Sequence, residues 1–188
     1  VVCVLSNRPD VLALERARKA GVPAHCVDHT EHGSREAFEA AMIDVLDAVR
    51  PDWIVMAGFM RILTPHFVRH YAGRMLNIHP SLLPKYPGLN THARALEAGD
   101  RVAGASVHFV TEALDGGPVI MQAAVPVVRG DTPETLARRV LGQEHILYPE
   151  VVRRVCQGRI CLENEQVILD GVPIDKPLRI ENCLHQVA

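Results

Sequence analysis

The sequence lacks the cysteine pattern of a disulfide-stabilised or zinc-binding protein. Its five cysteines are odd in number and scattered, with no C-x-x-C pair among Cys3, Cys26, Cys156, Cys161 and Cys183. Neither a disulfide framework nor a zinc site is therefore predicted. Free thiols are typical of a reducing compartment, so we expect a cytoplasmic protein.

Long apolar runs and long runs of one charge are also missing. No uninterrupted apolar stretch reaches the ~18 residues that span a bilayer, and the first residues do not have the layout of a signal peptide. The 20 basic and 22 acidic residues leave a formal net charge of -2, without a basic cluster. We therefore expect neither a membrane nor a nucleic acid as partner, and an anionic ligand has to be held by a local site.

Two common ligand-binding patterns do not occur either. The sequence contains neither a P-loop nor a G-x-G-x-x-G motif, so it carries no nucleotide-binding signature. His66 and His70 stand four residues apart and could share one face of a short helix, but no third ligand lies near them in the sequence. No metal site is predicted.

Short apolar segments alternate with segments of helical periodicity along most of the chain. With 188 residues, of which 48% are hydrophobic, the chain is expected to form a single domain. Asp10 is predicted to cap a helix at residues 11–20, and Ser34 is predicted to cap a second helix that ends at Pro51. A short helix is predicted to start after Thr64, and another is predicted at residues 92–98. Strands are predicted at residues 1–5, 24–27, 53–57, 75–79 and 105–109. This order predicts an α/β fold with a doubly wound, mostly parallel sheet and ligand sites outside the carboxyl ends of its strands.

The last third of the chain has a different pattern. One long helix is predicted from Asp131, with Pro133 near its start and a kink expected at Pro149. Residues 159–162 and 166–169 are predicted to form a small C-terminal hairpin.

Asn77 and His79 are the polar residues of an otherwise apolar strand. Because side chains of a strand alternate with a period of two, both residues are expected on one face at the strand end. Pro80, Pro84 and Pro87 follow directly and would stiffen the loop above them. The pair is a candidate for catalysis, with a hydrogen-bonded structural role as the alternative.

Asp115 is a third candidate, because Gly116 and Gly117 after it allow a tight turn close to a ligand. An amide, an imidazole and a carboxylate suit acyl transfer to an amine. The amide can donate to a developing oxyanion, and the imidazole can move a proton near neutral pH while the carboxylate orients it. An ordinary turn is the alternative for this segment.

Residues 77–88, Asn-Ile-His-Pro-Ser-Leu-Leu-Pro-Lys-Tyr-Pro-Gly, resemble the signature of the folate-dependent formyltransferases. Residues 57–63, 106–111 and 115–120 are similar to the members of that family that use glycinamide ribonucleotide as formyl acceptor. The resemblance covers nearly the whole chain and implies a Rossmann-like formyltransferase fold.

The resemblance also implies roles for individual residues. Asn77 and His79 would polarise the formyl carbonyl and handle protons, and Asp115 would support His79, in a direct transfer without a covalent enzyme intermediate or a metal. Asn77 and Glu144 would contact glycinamide ribonucleotide. The co-substrate 10-formyltetrahydrofolate would lie against Arg35, Met60, Arg61, Ile62, Leu63, Thr111, Glu112, Ala113 and Leu114. Both ligands are small molecules, and the resemblance is compatible with a monomer or a homodimer.

The sequence departs from the family pattern at two places. It starts after the family's first strand and glycine-rich phosphate loop, so we expect residues 1–188 to be a single formyltransferase domain from a longer protein. Leu141 also stands where the family often has glutamine. The alternatives are a 10-formyltetrahydrofolate hydrolase and a catalytically impaired folate-binding fragment. A methionyl-tRNA formyltransferase would need a further RNA-binding domain and a basic surface.

Overall fold

The computed structural model describes residues 1–180, and their contacts divide them into two compact units. The first unit consists of residues 1–52 and 62–70, and the second of residues 53–61 and the chain from residue 71 onward. The single-domain organisation expected from chain length stays a prediction. Cys183 lies outside the described residues, and the other four cysteines are free thiols.

The first unit contains a parallel pair of short strands, β1 (Val4–Ser6) and β2 (Ala24–Cys26), connected through helix α1 (Leu12–Lys19). The prediction that Asp10 caps this helix is wrong. The N-cap is Val11, in extended conformation and without a side-chain cap. Asp10 therefore lies one position too early for its carboxylate to accept from the first free N–H groups of the helix.

The second helix of this unit, α2 (Arg35–Val49), begins as predicted. The Ser34 hydroxyl accepts from the Ala37 amide at 3.1 Å, and the helix ends at Arg50 in a left-handed conformation. A 3₁₀ turn (His29–Glu31) precedes it, and helix α3 (Pro65–His70) completes the unit. The buried Glu39 carboxylate on α2 accepts from the Thr64 amide at 2.9 Å, and this bond secures the start of α3.

The second unit contains the remaining strands and two helices. In chain order they are β3 (Ile54–Met56), β4 (Met75–His79), α4 (Thr91–Glu97), β5 (Val102–Phe109), β6 (Val119–Pro126), α5 (Pro133–Cys156), β7 (Ile160–Glu163), β8 (Gln166–Leu169), β9 (Val172–Pro173) and β10 (Leu178–Arg179). Five of the strands form one sheet in the order β10-β6-β5-β4-β3. In the described chain this sheet and the β1–β2 pair have three parallel and two antiparallel pairings. The predicted α/β class is confirmed, with β5 antiparallel to both neighbours.

Helix α5 covers the sheet with an apolar face. Leu136, Val140, Leu147 and Val151 are fully buried and pack in one cluster with residues of β5 and β6. The predicted start is confirmed, since Thr132 caps the helix and Pro133 is its first residue. Pro149 lies inside the helix, and the kink expected there stays a prediction.

The α5 helix also secures the edge of the sheet. The Tyr148 hydroxyl lies 2.7 Å from the Met56 carbonyl oxygen, to which it donates, and 3.1 Å from the Leu76 carbonyl oxygen. Burial raises the pKa of Tyr148, so the hydroxyl stays a donor at neutral pH. One side chain of the helix therefore ties the carboxyl end of β3 to β4.

A three-stranded sheet follows α5. β7 and β8 pair antiparallel, which confirms the predicted hairpin, and β9 adds to β8. Within residues 1–180, every helix is too short or too polar to cross a bilayer.

Candidate active site

Antiparallel pairing of β4 with β5 brings two pairs of polar side chains to one face of the sheet. Asn77 lies opposite His108, and His79 lies opposite Ser106. Residues two apart on a strand, and residues directly opposite on a paired strand, share a face. Ser106 and His108 of β5 therefore lie on the same face of the sheet as Asn77 and His79.

His79 is almost fully buried and has an oxygen beside each ring nitrogen. Its Nε2 lies 2.8 Å from the Tyr86 carbonyl oxygen, and its Nδ1 lies 3.4 Å from Asp115 Oδ2. A carbonyl oxygen only accepts, so Nε2 carries a hydrogen in this arrangement. A proton on Nδ1 would be shared with the Asp115 carboxylate, and the ring can therefore receive a proton without losing its position.

Asp115 reaches this cluster from the loop between β5 and β6. The residue has a left-handed backbone conformation, with φ of 48°, which costs an L-residue roughly 1–2 kcal/mol. Its Oδ2 accepts from the Gly88 amide at 2.8 Å. A β-carbon at Gly117 would lie 1.9 Å from the Phe109 carbonyl oxygen, so only glycine allows the loop to close against β5. The loop holds the carboxylate in place at the expense of backbone strain.

His108 is a member of this cluster that the sequence analysis did not single out. Its Nε2 lies 3.3 Å from Asn77 Nδ2 and 3.7 Å from Asp115 Oδ1. The sequence pattern that indicated Asn77 and His79 also occurs here, because Ser106 and His108 are two polar residues with a spacing of two on an apolar strand. We define Asn77, His79, His108 and Asp115 as the reaction cluster.

Two further titratable side chains lie within electrostatic range of His79. Burial raises the pKa of Glu144, while the charges of His145 and His79 lower it by less. Burial also lowers the pKa of His92, and the charge of His79 acts in the same direction. Glu144, predicted to contact the ribonucleotide, is therefore placed by α5 near the reaction cluster.

Two exposed apolar side chains of the second unit are sequence neighbours of Asp115 and of its hydrogen-bond partner Gly88. Leu114 is 54% exposed, Leu89 is 67% exposed, and Leu114 extends towards Gly88, whose amide binds Asp115. Met60 is 76% exposed. Of the other residues predicted to bind folate on this unit, Arg61 and Thr111 are partly buried and Glu112 and Ala113 are exposed. The roles of these residues in folate binding stay predictions.

The remaining residues predicted to bind folate belong to the first unit. Arg35 is exposed and is the first residue of α2. Ile62 is 56% exposed and Leu63 is partly buried. Their roles in folate binding stay predictions.

A separate cavity of about 300 Å³ lies beside the proline-rich loop, with Lys85, Tyr86 and Asp100 in its wall. The Asp100 carboxylate already accepts from Lys85 Nζ at 2.8 Å and from the Tyr86 hydroxyl at 2.9 Å. None of Asn77, His108 and Asp115 lines this cavity. The groups suited to acyl transfer are therefore those of the reaction cluster.

Among residues 1–180, no group of three or more His, Cys, Asp or Glu side chains is arranged to hold an ion. His70 instead pairs with Asp47, at 2.9 Å between Nε2 and Oδ2.

Comparison with known proteins places this chain in one family. The formyl transferase family model matches residues 1–152. The chain is 54% identical to the Escherichia coli phosphoribosylglycinamide formyltransferase over 171 residues, which cover 91% of this chain and 81% of that protein. It is 46% identical to the trifunctional purine biosynthetic protein adenosine-3 of Drosophila melanogaster, over 88% of this chain and 12% of that protein.

A solved structure agrees with the sequence relatives. The phosphoribosylglycinamide formyltransferase of Coxiella burnetii superimposes with a TM-score of 0.90 at 51% identity, covering 95% of this chain and 85% of that one. The family model covers most of the chain, and the relatives match nearly the whole length of the chain. The chain therefore belongs to the formyl transferase family.

Proposed function

We propose that the protein transfers the formyl group of 10-formyltetrahydrofolate to the amine of glycinamide ribonucleotide, in de novo purine biosynthesis. The identity to phosphoribosylglycinamide formyltransferases supports this reaction. The observation that carries it is the meeting of Asn77, His79 and Asp115 at the end of β4, where an amide donor stands beside a histidine–carboxylate pair.

The reaction forms one C–N bond and breaks another. The amine nitrogen attacks the formyl carbon, and the carbonyl oxygen becomes an oxyanion in a tetrahedral intermediate. Asn77 Nδ2 is the donor suited to this oxyanion, and one preorganised donor of this kind contributes roughly 10²–10³-fold to kcat. The intermediate collapses when the bond from carbon to N10 of the folate breaks. No nucleophilic side chain takes part.

Proton transfer is assigned to His79 and Asp115. The amine nitrogen loses a proton as it becomes an amide, and the folate nitrogen gains one as it leaves. Since Nδ1 of His79 faces Asp115 Oδ2 at 3.4 Å, a proton taken up there is balanced by the carboxylate. His79 can accept the first proton and return one to the leaving nitrogen, directly or through water.

The substrate positions that we propose are supported by the surroundings of the reaction cluster. The exposed apolar side chains of Leu114 and Met60 suit the flat ring system of a folate. Backbone groups of residues 111–114 can pair with its polar edge. Glu144 and Asn77 are assigned to glycinamide ribonucleotide, because a carboxylate and an amide can both bind its amine and amide groups.

The test is a formyl-transfer assay with 10-formyl-5,8-dideazafolate and glycinamide ribonucleotide, run beside an assay without the ribonucleotide. Turnover that requires the ribonucleotide supports the proposal. Formate release that is equally fast without it would instead indicate a hydrolase. Binding of the folate analogue without either reaction would indicate a folate-binding module that has no transferase activity.

A further inference from the structure

We infer that His108 is a positioning residue that fixes the orientation of the Asn77 side-chain amide. The inference deepens the proposed formyl transfer and rests on it, because it assigns to His108 the task of presenting the Asn77 donor to the oxyanion. Three contacts of the buried His108 imidazole support this role, those with Phe109, Asn77 and Asp115.

The hydrogen on His108 is located by its first contact. Nδ1 lies 2.8 Å from the Phe109 carbonyl oxygen. Because a carbonyl oxygen has no hydrogen to donate, Nδ1 must carry the hydrogen of this bond. The backbone of β5 therefore selects one tautomer of the ring.

The charge state of His108 follows from its burial. Only 2% of the residue is exposed. Burial lowers the pKa of His108, and the charge of His79 also lowers it. The hydrogen bond to the Phe109 carbonyl and the charge of Asp115 raise the pKa, but by less than burial lowers it. A neutral ring with its hydrogen on Nδ1 leaves Nε2 as an acceptor.

That acceptor faces Asn77. Asn77 Nδ2 lies 3.3 Å from Nε2 and can donate to it. In the flipped amide, Oδ1 would face the Nε2 lone pair, and two acceptors would repel each other. Asp115 Oδ1, at 3.7 Å from Nε2, is beyond hydrogen-bond distance. His108 therefore engages one Nδ2 hydrogen and leaves the second for the oxyanion, with Oδ1 available to the substrate amine.

Two variants separate this role from simple packing. In His108→Gln the side-chain carbonyl can still accept from Asn77 Nδ2, whereas His108→Leu has no acceptor. We expect His108→Leu to lower kcat by about 10²-fold, the effect of one misdirected oxyanion donor, with the KM for both substrates within about twofold of the unsubstituted protein. The kcat of His108→Gln should be at least about tenfold higher than the kcat of His108→Leu. Equal kcat values for the two variants, or a raised KM at unchanged kcat, would overturn the inference.

A second measurement does not depend on turnover. In ¹⁵N-histidine-labelled protein, the His108 resonances, assigned by their absence in His108→Gln, should show a protonated Nδ1 and an unprotonated Nε2. If His108→Gln does not fold, the protonated Nδ1 can be assigned through its coupling to the Phe109 carbonyl. A protonated Nε2 would overturn the inference even if the enzyme is active. Absence of formyl transfer in the unsubstituted protein would overturn the proposed function instead, while the tautomer would still decide the His108 arrangement.

Discussion

Two buried polar clusters lie on β4, β5 and β6, and they differ in how tightly their members are bonded. In the first, the Ser106 hydroxyl donates to the Ser81 carbonyl at 2.7 Å and accepts from the Leu83 amide at 3.0 Å. Gln122 Nε2 donates to the Leu83 carbonyl at 2.9 Å. We call Ser81, Leu83, Ser106 and Gln122 the loop clamp. In the reaction cluster, the contacts between side chains are 3.3–3.7 Å long.

The difference in contact length distinguishes buried polar groups that stabilise the fold from buried polar groups that take part in the reaction. Short, complete hydrogen bonds are stable in a low-dielectric interior and hold the proline-rich loop, whose Tyr86 carbonyl binds His79. Longer contacts leave donors and acceptors for a ligand, and catalytic hydrogen bonds are often long before substrate binds. Substitutions in the loop clamp should therefore lower stability, and substitutions in the reaction cluster should lower turnover.

The strongest test of this contrast is His79→Ala. We expect kcat to fall by roughly 10²–10⁴-fold, because the group that moves protons is removed, while the protein still folds and keeps its affinity for a folate analogue. Steady-state kinetics measure kcat, thermal unfolding shows whether the variant folds, and titration with the folate analogue measures the affinity. The matched control is His66→Ala, an exposed histidine on α3. A near-normal kcat in His79→Ala would remove His79 from the mechanism.

The opposite pattern is expected for Gln122→Met, which keeps the length of the side chain but removes the donor to the buried Leu83 carbonyl. An unsatisfied buried acceptor should lower the free energy of unfolding by about 1–3 kcal/mol. Urea unfolding measures this loss, and the exposed Gln166→Met serves as control, with an expected change within about 0.5 kcal/mol. Unchanged stability in Gln122→Met would mean that the loop clamp is not a stabilising cluster.

A smaller effect on turnover is expected for Asp115→Asn. The amide oxygen can still accept from the Gly88 amide, but the negative charge beside His79 is lost. A hydrogen bond to a charged group contributes roughly 1.5–3 kcal/mol, so kcat should fall by roughly 10- to 100-fold with little change in folate affinity. If this variant mainly lowers the melting temperature, Asp115 belongs with the loop clamp.

The smallest effect concerns pH. The pKa of His108 is lower in the folded protein than the value of about 6.5 in an unfolded chain. Below that value the unfolded state binds more protons, so the free energy of unfolding should fall as pH decreases from about 7.5 to about 5.5. His108→Gln should flatten this dependence in part, since the lowered pKa of His92 contributes with the same sign. An unaltered slope would show that His108 does not stay neutral in the fold.

Much of the fold could be predicted from local patterns. The period-two strand at residues 75–79, the Ser34 cap and the hairpin after α5 were all confirmed, because each depends on neighbouring residues in the chain. The capping prediction for Asp10 was wrong by one position, since the start of α1 depends on how the chain leaves β1. The roles of Asn77, His79 and Asp115 stay predictions, although the structure places the three side chains together.

The amino-acid sequence by itself determined the chemistry that could occur here: the Asn77–His79 pair, the proline-rich loop, the Asp115 turn and the resemblance to the formyltransferases. Only the tertiary structure decided the partners of these groups. The antiparallel register of β5 sets His108 against Asn77, and the left-handed turn at Asp115 brings a carboxylate to His79. Register and loop closure depend on contacts between residues some 30 positions apart, which no local pattern contains.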